Sequence, residues 1–191
     1  MRPTDLYLRS VLTAIFCIAF ATLPSLAQSW VATTGTLDPA FSAHARFNGQ
    51  IVDIDSAAPI PSTIKLRYNV LQAGDLITNP NPLQTGECRQ LIVRFTDNGT
   101  GAQVILRLKQ YNLHTGQVTT LLSFDSNAAP TSSSFQIRPS ACVAFDFTFA
   151  DSAADVTSPS ASVYFLEATL TRSATGGTPK LGGFGLIRII P

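Results

Sequence analysis

Apolar and polar residues alternate with a period of two through much of this chain, a pattern that suits half-buried strands. Val143, Phe145, Phe147 and Phe149 share one parity while Ala144, Asp146 and Thr148 take the other. No stretch sustains a helical period, and there is no internal repeat. Loop-forming clusters fall at sandwich-like intervals: Asp55–Pro61, Asn79–Gly86, Ser126–Ser134, Asp151–Ser162 and Ser173–Gly183. Strands are expected between them, near 30–36, 44–54, 63–71, 88–96, 102–112, 117–124, 142–149, 163–172 and 184–190. The sequence therefore predicts an all-β antiparallel β-sandwich, jelly-roll-like or Ig-like, of about 8–9 strands. One short helical turn is expected at Asp38–Ala43, with Asp38 as N-cap and Pro39 at the first helical position.

Turn chemistry sharpens the middle of the chain. Asp97-Asn98-Gly99-Thr100 fits a two-residue type I′ hairpin, because Asn and Gly tolerate the positive φ it demands. That register sets Phe95 opposite Ala102 and Val93 opposite Val104, and sorts Arg94, Gln103 and Arg107 outward. His114-Thr115-Gly116 fits a three-residue turn that sets Leu108 opposite Leu122 and Leu106 opposite Phe124. Residues 88–124 thus read as a three-strand meander. Later strands are apolar on both sides: Val163 and Phe165 oppose Tyr164, Leu166 and Leu170, and Phe184 and Leu186 oppose Ile187 and Ile189. A sandwich has one core, so Val163, Phe165, Phe184 and Leu186 form a candidate association face for a homo-oligomer.

The N-terminus reads as a secretory leader. Arg2 and Arg9 precede the uncharged run Val11–Leu23, Pro24 breaks it, and Ser25-Leu26-Ala27 supplies small residues for cleavage. The run falls short of the roughly 18 residues of a spanning helix, so no transmembrane segment is expected. Residues 1–27 are the expected signal peptide and 28–191 a single sandwich domain, secreted or periplasmic after cleavage near Ala27. Export leaves Cys88 and Cys142, an even pair in an oxidising compartment. Bridging them would close a loop of about 54 residues and stabilise the fold by roughly 4 kcal/mol in the chain-entropy model.

Loss of the leader's two arginines and one aspartate leaves basic and acidic residues in balance, which argues against nucleic acid as a partner. No nucleophile elbow, zinc-binding pair or nucleotide fingerprint occurs, and no cofactor is implied. His44 and His114 have no nucleophile or carboxylate at motif spacing. Asp146 and Glu167 are the carboxylates a glycosidase reading would use. Asp53 and Asp55, on one side of a strand, are a weak Ca²⁺ candidate without a full ligand shell. Lys65, Arg67, Arg94, Arg107 and Lys109 all take outward parity, a candidate patch for an anionic ligand if their strands share a sheet. Asn98-Gly99-Thr100 is also an N-glycosylation sequon.

The size, leader, single cysteine pair and alternating C-terminal strand resemble secreted jelly rolls, pilin-like subunits and carbohydrate-binding modules alike. Architecture of that kind does not fix function. The expectation is an exported, non-enzymatic β-sandwich that works by recognising a protein or glycan surface, or by self-association. The alternative is a glycan-active protein, lectin or hydrolase, using Asp146, Glu167 and aromatics such as Tyr111.

Overall fold

A computed structural model of the chain describes residues 27–71, 87–149, 159 and 161–189. The expected leader up to residue 26, the Asn79–Gly86 loop and most of Asp151–Ser162 lie outside the described residues. Eleven strands occur among those described: β1 Ala27–Val31, β2 Thr36–Leu37, β3 Ala45–Asn48, β4 Ile51–Ile54, β5 Ser62–Val70, β6 Cys88–Asp97, β7 Ala102–Asn112, β8 Val118–Asp125, β9 Ser132–Pro139, β10 Ser162–Arg172 and β11 Lys180–Ile189. They build two antiparallel sheets, ordered β3-β4-β11-β6-β9, with β1 also on β11, and β2-β5-β10-β7-β8. No helix among the described residues is long and apolar enough to cross a membrane.

Strands β4 to β11 form a jelly roll: β4-β11-β6-β9 faces β5-β10-β7-β8, and the chain changes sheet at nearly every connection. Even-numbered residues of β5, β7 and β10 fill the space between the sheets, where Leu66, Leu106 and Leu166 meet Leu91, Phe95 and Leu186. Aromatic rings lock the layers, Tyr68 edge-on to Phe184 at 4.7 Å and Phe95 edge-on to Phe124 at 5.0 Å.

The expected meander over 88–124 does not form. Strands β6 and β7 lie in different sheets, β6 between β11 and β9 and β7 between β10 and β8. A type I′ turn needs positive φ at Asn98, and among the described residues positive φ is found only at glycines, here Gly99 (+74°) and Gly101 (+64°). The Asn98 side chain instead donates to Gly176 O at 2.7 Å and accepts from Thr178 N at 3.1 Å, tying this corner to the loop after β10. Because that amide nitrogen is occupied, the sequon sits on a structural clamp. The β7–β8 half of the expectation does form, with Leu106 opposite Phe124 and Leu108 opposite Leu122.

Three further differences have local causes. The 44–54 segment breaks into a hairpin, with Asn48 opposite Ile51 and Gly49 at φ +60°. Residues 132–139, which begin in the expected Ser126–Ser134 loop and fall in no expected strand, form edge strand β9 beside β6. Residues 142–149 form no ladder, only isolated bridges from Val143 to Arg89 and from Phe149 to Ser162. They make a strap from one sheet to the other, closing the core end with Phe147 and Phe149 each 4.7 Å from the Tyr164 ring. The Asp38 turn is as expected, a single 3₁₀ turn over Pro39–Phe41 capped by Asp38 on Ala40 N–H at 3.1 Å.

Candidate functional site

Odd-numbered residues of β5, β7 and β10 point away from the core, so the five-stranded sheet presents them on one outer face. Strand β10 runs down its middle, antiparallel to β5 on one side and β7 on the other. Registers then arrange the face in rows. At one end Val163 pairs with Tyr111 and Tyr111 with Val118. Leu71 directly follows Val70, the partner of Tyr164, so it falls beside Val163. All four are exposed, at 60% for Leu71, 44% for Val163, 36% for Tyr111 and 50% for Val118. An apolar row thus crosses β10, β7 and β8 in water, with Leu71 just past the end of β5. The next row holds Asn69, Phe165, Lys109 and Thr120. The third sets Glu167 level with both Arg67 and Arg107, and the fourth sets Thr169 level with Lys65.

Four of the five cations singled out in the sequence therefore share this face. Lys109 Nζ binds Glu167 Oε1 at 2.6 Å, Arg67 lies 3.8 Å from Asp38, and Lys65 sits 4.4 Å above the Phe41 ring. Arg94 does not join them. It belongs to β6 in the other sheet, where its guanidinium stacks 4.0 Å from the Phe135 ring. The space it uses is left by Gly182, whose absent side chain would come within 2.5 Å of Arg94.

The four residues of the expected association face separate in the same way. Val163 and Phe165 lie on the outer face just described, Phe165 with the Arg67 guanidinium 5.9 Å from its ring. Phe184 and Leu186 lie in the core, Phe184 packed on Trp30 and Tyr68. The register shift between Leu181 and Gly183 sets Phe184 on the same inner side as Leu181, while Ile189 is left exposed.

Other singled-out residues are engaged elsewhere. Arg46 takes both carboxylate oxygens of Asp53, at 2.8 Å each, and Asp55 accepts from Ala57 N–H at 2.8 Å. Among the described residues no group of three or more His, Cys, Asp or Glu is placed to hold a metal. Asp146 lies on the strap, 3.6 Å from Arg89, whose guanidinium is wedged 5.1 and 4.8 Å from the rings of Phe145 and Phe147. Burial pulls that guanidinium below its usual pKa and Asp146 pulls it back. Asp146 and Glu167 therefore stand on different elements, each held by its own cation. Cys88 and Cys142 are bridged, with Cα atoms 5.5 Å apart, and pin the start of the strap to β6. His44 and His114 sit in separate turns, His114 exposed. The exposed apolar row as a unit is the feature that sequence reasoning missed: Val163 and Tyr111 stand out singly, and only the registers bring them level with Val118.

Neither a protein-family model nor a curated protein matches this sequence. Among solved structures the chain is similar to TmCBM61 in complex with β-1,4-galactotriose, at 12% identity over 86% of this chain and 83% of that one, TM-score 0.37. It is also similar to a structure addressing the promiscuous specificity of carbohydrate-binding modules from the β-sandwich superfamily, at 10% identity over 88% of this chain and 58% of that one, TM-score 0.40. A third is a structure of infectious bursal disease virus Gx strain, at 11% identity over 87% of this chain and 32% of that one, TM-score 0.33. At these values the fold assignment rests on the two sheets themselves.

Proposed function

We propose that this chain is an exported, non-catalytic binding module that holds a glycan against the outer face of its five-stranded sheet. The observation that carries the reading is the exposed row of Leu71, Val163, Tyr111 and Val118, followed by rows of amide, hydroxyl and charged groups. A sugar ring has an apolar face and a hydroxyl rim, so a flat apolar platform bordered by hydrogen-bonding side chains complements it. The bridged cysteines fit an oxidising compartment, and cleavage after Ala27 would leave 28–191 as the working module. A hydrolytic pair is disfavoured by the separate engagement of Asp146 and Glu167.

A glycan array run beside a hydrolase substrate panel tests this. Array hits lost in Tyr111→Ala, with no turnover, are expected. Turnover abolished by Asp146→Asn or Glu167→Gln would replace the reading with an enzymatic one. The same row also favours a second reading, self-association, because contiguous exposed apolar surface commonly marks an interface. Light scattering across dilution separates them: a dimer dispersed by Val163→Ser would assign the row to a second copy of the chain.

A further inference from the structure

We infer that the ligand of this face is an acidic glycan, a chain of sugars bearing carboxylates, gripped from both sides over β10. The inference rests on the binding-module reading above and specifies its ligand class.

Glu167 is level with Arg67 on β5 and with Arg107 on β7. With neighbouring strands ~4.8 Å apart, the two arginines stand roughly 10 Å apart across the sheet, with β10 as a floor between them. Lys65 lies two residues from Arg67 along β5, and Lys109 two residues from Arg107 along β7 in the opposite direction. Four cations thus ring one central carboxylate, and with Asp38 beside Arg67 and Asp125 at the β8 edge the cations of this face outnumber its acids by four to three.

Their pairing leaves both arginines able to take an acid. Glu167 is committed to Lys109 at 2.6 Å. Asp38 is only 3.8 Å from Arg67, and its carboxylate also caps the Pro39 turn. The Arg107 side chain makes no hydrogen bond or ion pair to any described residue. A guanidinium presents a planar fork that matches a carboxylate through two parallel hydrogen bonds. Along the floor, Phe165 supplies a ring on one side of Glu167, and Thr169 and Thr171 supply hydroxyls on the other. Stacking surface, hydroxyl partners and paired forks together favour a sugar acid over an acidic peptide, whose charges need no flat floor.

Glu167 acquires a role from this arrangement. It neutralises Lys109 and repels an incoming carboxylate, so it limits affinity for acids while leaving neutral sugars nearly unaffected. It is a specificity-determining residue.

The test is calorimetric titration of the purified protein with oligogalacturonate and with the same oligomer fully methyl-esterified. The free acid is expected to bind at least about tenfold more tightly, with affinity falling as salt rises. Arg67→Ala and Arg107→Ala should each weaken the free acid by about tenfold while leaving the unfolding midpoint nearly unchanged, since hydrogen bonds to charged groups carry such energies. Glu167→Gln should strengthen it several-fold. Equal affinity for acid and ester would overturn the inference while leaving the glycan reading in place. Poly-glutamate binding as tightly as the uronate would also overturn it, reducing the face to an unselective charge patch. Absence of binding to every array glycan would remove the underlying reading instead.

Discussion

Lys109 Nζ lies 2.6 Å from Glu167 Oε1, joining β7 to β10 at the centre of the outer face, with the side chains 19% and 11% exposed. Partial burial spares the pair much of the solvent screening that cancels open surface ion pairs. A double-mutant cycle of Glu167→Gln and Lys109→Met in urea is expected to give a coupling of about 1 kcal/mol. Glu167→Gln would then be less stable yet a tighter binder of acid. A coupling of zero would mean that the Lys109–Glu167 pair adds nothing to the stability of the fold.

The Cys88–Cys142 bridge should appear as linked peptides in mass spectrometry without reduction. Cys88→Ala is expected to lower stability by about 2–5 kcal/mol. Because the bridge anchors the strap that ends at Phe149, reduction should speed amide exchange in 143–149 before it does so in β10. Uniform exchange across both would show that the strap is held by its ring contacts alone.

Phe184 and Phe165, both on the association face that alternation predicts, are separated by the fold. Phe184 is 5% exposed between Trp30 and Tyr68, so Phe184→Ala should cost about 3–5 kcal/mol. Phe165→Ser, on the outer face, should cost less than about 1 kcal/mol. Chemical denaturation of the two variants checks the difference, and similar losses would mean that the outer face is covered.

Two glycines share a backbone conformation but differ in surroundings. Gly116 has φ +71° and no neighbour nearer than the Tyr111 hydroxyl at 3.8 Å, whereas Gly101 has φ +64° and the Ala174 backbone nitrogen 2.7 Å from where a Cβ would stand. Gly116→Ala should cost only the left-handed penalty of about 1 kcal/mol, and Gly101→Ala at least twice that as its neighbour is displaced. Thermal melts of both report it.

Burial pushes the Tyr68 phenol well above its ordinary value of 10.0, and its hydroxyl donates to Ala32 O at 2.7 Å. The folded state then holds this proton more tightly than the unfolded state. The stabilisation is complete below about pH 10 and is lost as pH rises from there towards the folded pKa. Denaturant midpoints should fall above that pH in the native protein, and the fall should be shallower in Tyr68→Phe, whose lower starting stability reflects the lost hydrogen bond.

In the regular strands alternation alone settles which side of the sheet a residue takes, and β11, interrupted by its register shift, is the exception. A strand alternates its side chains whatever its neighbours, so Leu91, Val93 and Phe95 inward, and Arg67 and Arg107 outward, were legible from parity. The Asp38 cap was legible too, being a contact two residues long. Of the strand partners only β7 with β8 was legible, through the short turn that joins them; parity carries no information about which strand lies alongside. Asn-Gly occurs twice: at 48–49 it enters a hairpin, and at 98–99 it turns a corner between sheets. The dipeptide supplies a residue that accepts positive φ; only packing of β6 against β11 and β9 decides what the turn connects. Strand β9 lacks the alternation of a strand because it lies at a sheet edge with no buried side chain, and the 142–149 strap carries that alternation because covering a core end also demands aromatics on one side. The outer face of β10 was likewise decided by tertiary structure. Tyr111 and Val118 face each other across a short hairpin, but Val163 is far from both in the chain, and only pairing of β10 with β7 brings it into their row.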